Sequence, residues 1–222
     1  MTGVNTRRNR MRWSRVVQPW TVAHNWRRIV FSDEFRVSVG KCDGRAYVRR
    51  GPDERFQPCC TLYGRATSRQ SVMFWGCIGF GGTGHLVEVA GNMNQDSYVD
   101  ILRNHLLPSA RDIFNDPQSN FVFQQDNAPP HTGRRSAAWL GNQPFQLMQW
   151  PAYSPDMNLI ESVWGWIMRK LNNDPPETLQ ILRQRVQQHW DEITPDQLRR
   201  LYHQMPRRVG ALRRCQGYPT KY

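Results

Sequence analysis

Between Phe121 and Lys170 the hydrophobic pattern switches from extended to helical, back to extended, and then to helical again. The run FVFQQD ends at Asp126, and Pro129 and Pro130 stop it. A short helical pattern covers His131 to Gly141, PFQLMQW is extended, and the Pro-rich PAYSPDM leads into a helix carrying Glu161. Strand, helix, strand, helix requires parallel strands with helices on the sheet faces, because parallel neighbours can be joined only by a crossover. The earlier half reads differently. IVFSDEFRVSV, from Ile29 to Val39, is strand-like, and RAYVRR after the Asp43-Gly44 turn signal reads as its hairpin partner. SVMFWGCIG is apolar enough for a central strand, and after the turn at Gly79 to Gly84 comes GHLVEVA, a further strand. The expected fold is therefore α/β, a mixed sheet with an antiparallel start and a parallel second half, flanked by helices.

Period counting places the remaining elements. Tyr98, Ile101, Leu102, His105, Leu106 and Ile113 recur at three- and four-residue steps, which predicts one or two helices over 94–114, capped by Asn94 and broken near Pro108. Leu179, Leu182, Val186, His189, Trp190 and Ile193 form another stripe. Pro195 interrupts it, a helical pattern resumes from Asp196 to Met205, and the basic MPRRVGALRR follows. Residues 51–70 read as a loop. The organisation expected is a basic N-terminal segment or linker over 1–28, a core over 29–175, and a helical, basic extension of the same domain over 176–222.

Three carboxylates stand out against this frame: Asp33, which interrupts an apolar run, Asp126 at a strand end, and Glu161 at a helix start. Brought together they would suit a hard divalent cation, since Mg²⁺ takes oxygen ligands and keeps several waters that substrate phosphates can replace. Each has a plainer reading. Asp126 can cap its own turn. Asn158, three residues before Glu161, makes a pattern close to a capping box, in which Glu161 would return to its own helix N-terminus. Asp33 in a buried strand without a partner would be costly, and a metal would relieve that cost. Glu34 should point to the opposite face of the strand, solvated or paired with an arginine.

Lys and Arg number 30 against 18 Asp and Glu, a formal charge of +12 that favours a polyanionic partner. Arg7 to Arg15 has the composition of a nuclear-localisation or phosphate-binding patch, with a solvated basic tail as the alternative. Arg134, Arg135, Arg207 and Arg208 are candidate phosphate contacts. No uninterrupted apolar stretch of about 18 residues is present, and the N-terminus lacks the apolar core of a secretory signal, so no membrane partner is expected. Cys42, Cys59, Cys60, Cys77 and Cys215 are odd in number and form no C-x-x-C pair, which argues for reduced thiols in an intracellular chain.

Between Asp126 and Glu161 lie 34 residues. That spacing, with QQDNAPPHT, WPAYSPDMNLIE, SDE at Ser32 to Glu34, GGTG at Gly81 to Gly84, YVDILRNHLLP and the terminal TKY, resembles the catalytic region of Tc/mariner-type DNA transposases over roughly residues 11–222. The resemblance implies a ribonuclease H-like fold and a metal-binding triad at Asp33, Asp126 and Glu161, with Asn127 and His131 as supporting residues. Two Mg²⁺ ions, replaceable by Mn²⁺, would serve DNA phosphodiester hydrolysis and strand transfer in cut-and-paste transposition, typically into TA. DNA ends and target DNA are the implied partners, with self-association as a dimer or higher assembly, and the nucleus is the expected location. Relatives carry a helix-turn-helix region of roughly a hundred residues that 28 residues cannot hold, so a catalytic domain alone is expected. Two other readings stand beside this one: a repurposed or relic DNA-binding protein without catalysis, and a related metal-dependent nuclease that cuts without joining. The chain departs from the pattern at Leu159, where relatives often have a proline that pre-organises the first helical turn, and at Thr67 to Gln70, where they are often Gly-rich.

Overall fold

Both faces of β1 (Ile29–Ser38) are buried along its first half, which suits only a central strand. The computed structural model describes residues 3–40, 70–115 and 120–222, and it puts β1 in the middle of a five-stranded sheet. β1 pairs antiparallel with β2 (Ser71–Ile78), which pairs antiparallel with β3 (Thr83–Val89). On its other side β1 pairs parallel with β4 (Val122–Gln124), and β4 with β5 (Gln146–Leu147). The order β3-β2-β1-β4-β5 is the expected mixed sheet. The RAYVRR hairpin partner, the Asp43-Gly44 turn, Cys42, Cys59, Cys60, and all but the last residue, Gln70, of both the loop read over 51–70 and the Thr67 to Gln70 departure lie outside the described residues.

Helices cover both faces. On one face α6 (Ile160–Asn173), α7 (Leu179–Asp191) and α8 (Pro195–Arg214) bury Phe31, Phe35, Trp164, Trp190 and Tyr202 against the sheet. On the other, α2 (Gln95–Ile101) and α3 (Leu107–Phe114) close over Val30, Trp75, Tyr98 and Phe123. The Tyr202 hydroxyl donates to Ile29 O at 2.8 Å, so the one polar atom of a fully buried ring is satisfied by β1 itself. Among the described residues no helix is long and apolar enough to cross a membrane. Cys77 is a buried free thiol and Cys215 an exposed one.

Prolines lie within or at the start of helices in three places. The helix over 95–114 is not broken near Pro108. It runs on through a π-helical turn, Leu102–Leu106, just upstream. Proline has no N–H to give and its ring crowds the carbonyl four residues earlier, and a locally widened turn accommodates both. Pro129 and Pro130 do not merely stop a strand; they open α4 (Pro129–Thr132), where a missing N–H costs nothing. Pro206 lies inside α8, which continues because Tyr202, Met205, Val209 and Leu212 hold it to the core on either side.

The segment before β1 also differs from a basic tail. α1 (Val4–Val17) buries Trp13 and Val17, and Trp13 packs edge-on against Trp26 and Trp150. Glycine matters at the centre of the sheet. A Cβ at Gly76, the residue opposite Asp33, would stand 2.8 Å from Trp190 and 2.9 Å from Trp164, whose indoles stack on each other. Gly76→Ala should therefore destabilise the fold by about 1–3 kcal/mol through overpacking. An unchanged thermal midpoint would mean that the indole pair can slide aside.

Candidate active site

β1 delivers Asp33 by strand alternation. Ile29, Phe31, Phe35 and Val37 face the α6–α8 side and Val30 faces the α2–α3 side, so Asp33 shares the face of Glu161 and Glu34 takes the opposite one. Register brings Asp126 beside it. Phe31 pairs with Gln124 in the parallel β1/β4 ladder, and two residues further along each chain stand Asp33 and Asp126.

Hydrogen bonds tie the three carriers together. Ser32 Oγ donates to Gln124 O at 3.0 Å, and Asn158 Nδ2 donates to Ser32 O at 3.0 Å. Asn158 Oδ1 meanwhile accepts from Ile160 N at 3.3 Å, so Asn158 links the first residue of α6 to β1. No capping box closes on Glu161. Its carboxylate instead lines a cleft of about 460 Å³ together with Asp33 and Asp126. Leu159, where relatives often have proline, is buried in the core.

The electrostatics of the cleft are lopsided. Burial raises the Asp33 carboxyl well above the usual range, and the charges of Glu161, Glu34 and Asp126 push it the same way. Burial raises Glu161 as well, against a hydrogen bond with Asp33. Burial would also raise Asp126, but the His131 hydrogen bond, the Ala128 N–H and the His131 charge outweigh it and hold Asp126 below its ordinary value. His131 stands between two acids, with Nδ1 2.6 Å from Asp126 Oδ1 and Nε2 3.3 Å from Glu34 Oε1. Burial alone would lower the imidazole; its two carboxylate partners win and raise it to about 9.

The donors offered are carboxylate oxygens, the chemistry that Mg²⁺ or Mn²⁺ requires, and a cation among them would relieve the repulsion between Asp33 and Glu161. The residues fit such a group, although no three His, Cys, Asp or Glu among the described residues already stand together as a cation site.

A model of the family described as DDE superfamily endonuclease matches residues 28–183. The chain belongs to the DDE superfamily endonucleases. This endonuclease is 32% identical over 225 residues to the Tcb1 transposase of Caenorhabditis briggsae, covering 100% of this chain and 80% of the relative. It is 31% identical to the Tc1 transposase of Caenorhabditis elegans, covering 98% and 79%. Those relatives make it a transposase catalytic domain of the Tc1/mariner kind. Among solved structures, the Mos1 mariner paired end complex with Mn aligns with a TM-score of 0.81 at 18% identity, covering 100% of this chain and 65% of that one. The Mos1 transposase catalytic domain with Raltegravir and Mg aligns at 0.77 and 16%, covering 100% of both. At such identities the likeness is one of fold, the ribonuclease H-like fold expected.

Residues around the endonuclease's three acids divide into those that face the cleft and those that build it. Asn127 lines the cleft, but its Nδ2 donates to Trp150 O at 3.0 Å, tying the turn after β4 to the loop before α6. Tyr153 is 77% exposed with φ +55°, a strained setting for an aromatic residue on the rim of the cleft. Arg134, on α5 (Arg134–Gly141), is exposed, as are Arg207 and Arg135, the last paired with Asp96. Arg208 is not available to phosphate. It is buried, donating to Asp156 O at 3.0 Å and Ser162 Oγ at 2.7 Å, because its turn of α8 lies against the loop before α6.

Two features escaped the sequence. Glu34 pairs with His131, not with an arginine or solvent, and the ring of His131 stacks on Tyr98 at 4.1 Å. Arg10 is fully buried on Asp156. Neither had a signal in one dimension, since the pairs lie far apart along the chain. Because His131 Nδ1 holds Asp126 at 2.6 Å, His131→Ala is expected to lower metal-dependent nicking about 10- to 100-fold, the usual cost of losing such support. Intact activity in the folded variant would reduce His131 to packing.

Proposed function

We propose that Asp33, Asp126 and Glu161 hold two Mg²⁺ ions, which Mn²⁺ can replace, and that the cleft cuts and rejoins DNA at the ends of a transposable element. The observation that carries this is the Ser32, Gln124 and Asn158 linkage, which sets three acids from three separate segments around one cleft. Bound there, such ions would stabilise the attacking and the leaving oxygen of an in-line displacement at phosphorus. The protein's own residues supply placement: β1 and β4 fix Asp33 and Asp126, Asn158 fixes the start of α6, and His131 orients Asp126. No side chain need serve as nucleophile. Water adds to phosphorus as the 3′-oxygen leaves in the cutting step, and the freed 3′-hydroxyl takes the place of water in the joining step. The partners proposed are the element's ends and target DNA, with two or more copies acting together in the nucleus.

Supercoiled plasmid incubated with the purified chain should be nicked in Mg²⁺ or Mn²⁺ and untouched in EDTA. A labelled oligonucleotide ending in a 3′-hydroxyl should become joined to the plasmid. Nicking without joining would support a nuclease. Absence of both, with DNA still bound, would support a binder without catalysis.

A further inference from the structure

A second cavity, of about 720 Å³, lies beside the catalytic cleft. One wall is a single face of α1, with Asn9, Arg12, Trp13 and Val16 at helical spacing, continued by Trp20 just beyond the helix; the other runs from Gln146 in β5 to Ala152. Asn127, Trp150 and Ala152 line both cavities, so the groove opens into the cleft that holds the three acids.

The character of its walls narrows the occupant. No Asp or Glu precedes Asp33 in the chain, and the groove is lined by Arg12, His24 and Arg28 with no acidic residue. Yet it is also apolar. Val16 is 61% exposed and Leu147 46%, among the largest apolar exposures described, and both lie in it with the partly buried rings of Trp20 and Trp150. A cationic rim over an aromatic and apolar floor suits a single nucleic-acid strand, whose unstacked bases have faces to lay on rings while its phosphates meet arginine. Duplex DNA keeps those faces inside its own stack, so an apolar floor gains little from it. Arg28 is held in place by Asn120 O, which accepts from its Nε at 3.3 Å and its Nη2 at 3.0 Å.

We propose that this groove binds an unpaired stretch of the DNA strand continuing from the phosphate at the catalytic cleft, with bases against Trp20, Trp150 and Leu147 and phosphates toward Arg12 and Arg28. The inference rests on the reading of the neighbouring cleft as a phosphodiester site. It adds that a few nucleotides beside that site are held as single strand.

The test is fluorescence anisotropy of a labelled oligothymidylate of about ten nucleotides against a duplex of the same length, in EDTA, using the full chain. Arg12→Glu and Leu147→Glu, both at exposed positions, should each weaken oligothymidylate binding about tenfold, comparable to the loss of one base–aromatic stack. They should change duplex binding less than about twofold, and Arg200→Glu, which lines neither cavity, should not discriminate. Equal losses for both DNAs, the same loss in Arg200→Glu, or no oligothymidylate binding by the parent chain would overturn the proposal. Binding without metal separates the two readings. A chain that binds oligothymidylate in the groove but never nicks plasmid defeats only the catalytic reading, and one that nicks yet ignores Arg12→Glu in the single-strand assay defeats only the groove.

Discussion

Asp33→Asn, Asp126→Asn and Glu161→Gln are each expected to lower metal-dependent nicking by at least about 10²- to 10³-fold, the scale seen when one preorganised electrostatic partner of a developing charge is removed. Loss of activity alone would not separate a metal ligand from a residue the fold needs, so the stability readout matters more. Folded, metal-free Asp33 is raised by burial and by the charge of Glu161, so the native state binds a proton that the unfolded chain releases. Stability from this group is present below the ordinary carboxylate range and falls as pH rises through the raised value. At neutral pH in EDTA, Asp33→Asn removes that penalty and should melt higher than the parent; each kcal/mol gained is worth about 2–4 °C in a chain of this size. Mn²⁺ should then reverse the order, raising the parent's midpoint by mass action and leaving Asp33→Asn nearly unmoved. A variant that melts lower than the parent in EDTA, and gains as much from Mn²⁺, would remove Asp33 from the metal site.

The sheet was legible in the sequence because alternation and turn chemistry are local. Asp126 could be placed at a strand end from FVFQQD and the prolines after it, and the ladder pairing Phe31 with Gln124 then set it level with Asp33. What local pattern could not supply was the partner of a polar side chain. Asn158 and Glu161 have the spacing of a capping box, yet the Asn158 side-chain oxygen accepts from Ile160 N, its Nδ2 donates to Ser32 O, 126 residues away in sequence, and Glu161 faces the cleft. Arg207 and Arg208 are adjacent and alike in sequence; the step of about 100° between neighbours in a helix sends the first to solvent and the second into the loop before α6. Proline rules failed for a related reason. They describe an isolated helix, whereas α8 passes Pro206 held by packing on both sides of it.

Arg10, one of several arginines in a stretch that reads as a solvated tail, is expected to be the costliest single truncation outside the core. Its side chain is 0% exposed and meets Asp156 in a two-pronged contact, Nη1 to Oδ1 at 2.8 Å and Nη2 to Oδ2 at 2.7 Å. It donates as well to Tyr153 O, Ser154 Oγ and Gly217 O, joining α1, the loop before α6 and the C-terminal turn at one point. Arg10→Met leaves Asp156 buried without its partner, a loss of about 3–5 kcal/mol for a broken buried pair, or a midpoint lower by about 6–20 °C. The pH dependence follows from Asp156. Burial would raise its carboxyl, but the hydrogen bond and charge of Arg10, with the Thr220 N–H, hold it below the usual value. That contribution is present above the ordinary carboxylate range and is lost as pH falls through the depressed value, so the gap between parent and Arg10→Met should narrow on acidification. Arg10→Met combined with Asp156→Leu should recover much of the midpoint, since two apolar groups avoid the desolvation that one stranded charge suffers. Recovery of stability without recovery of nicking would be informative in its own right. Arg10 grips the carbonyl of Tyr153, whose φ of +55° gives that loop its path toward Glu161, and a core that melts normally while the loop takes another path would put the role of Arg10 in placing α6 and Glu161, beyond holding the fold.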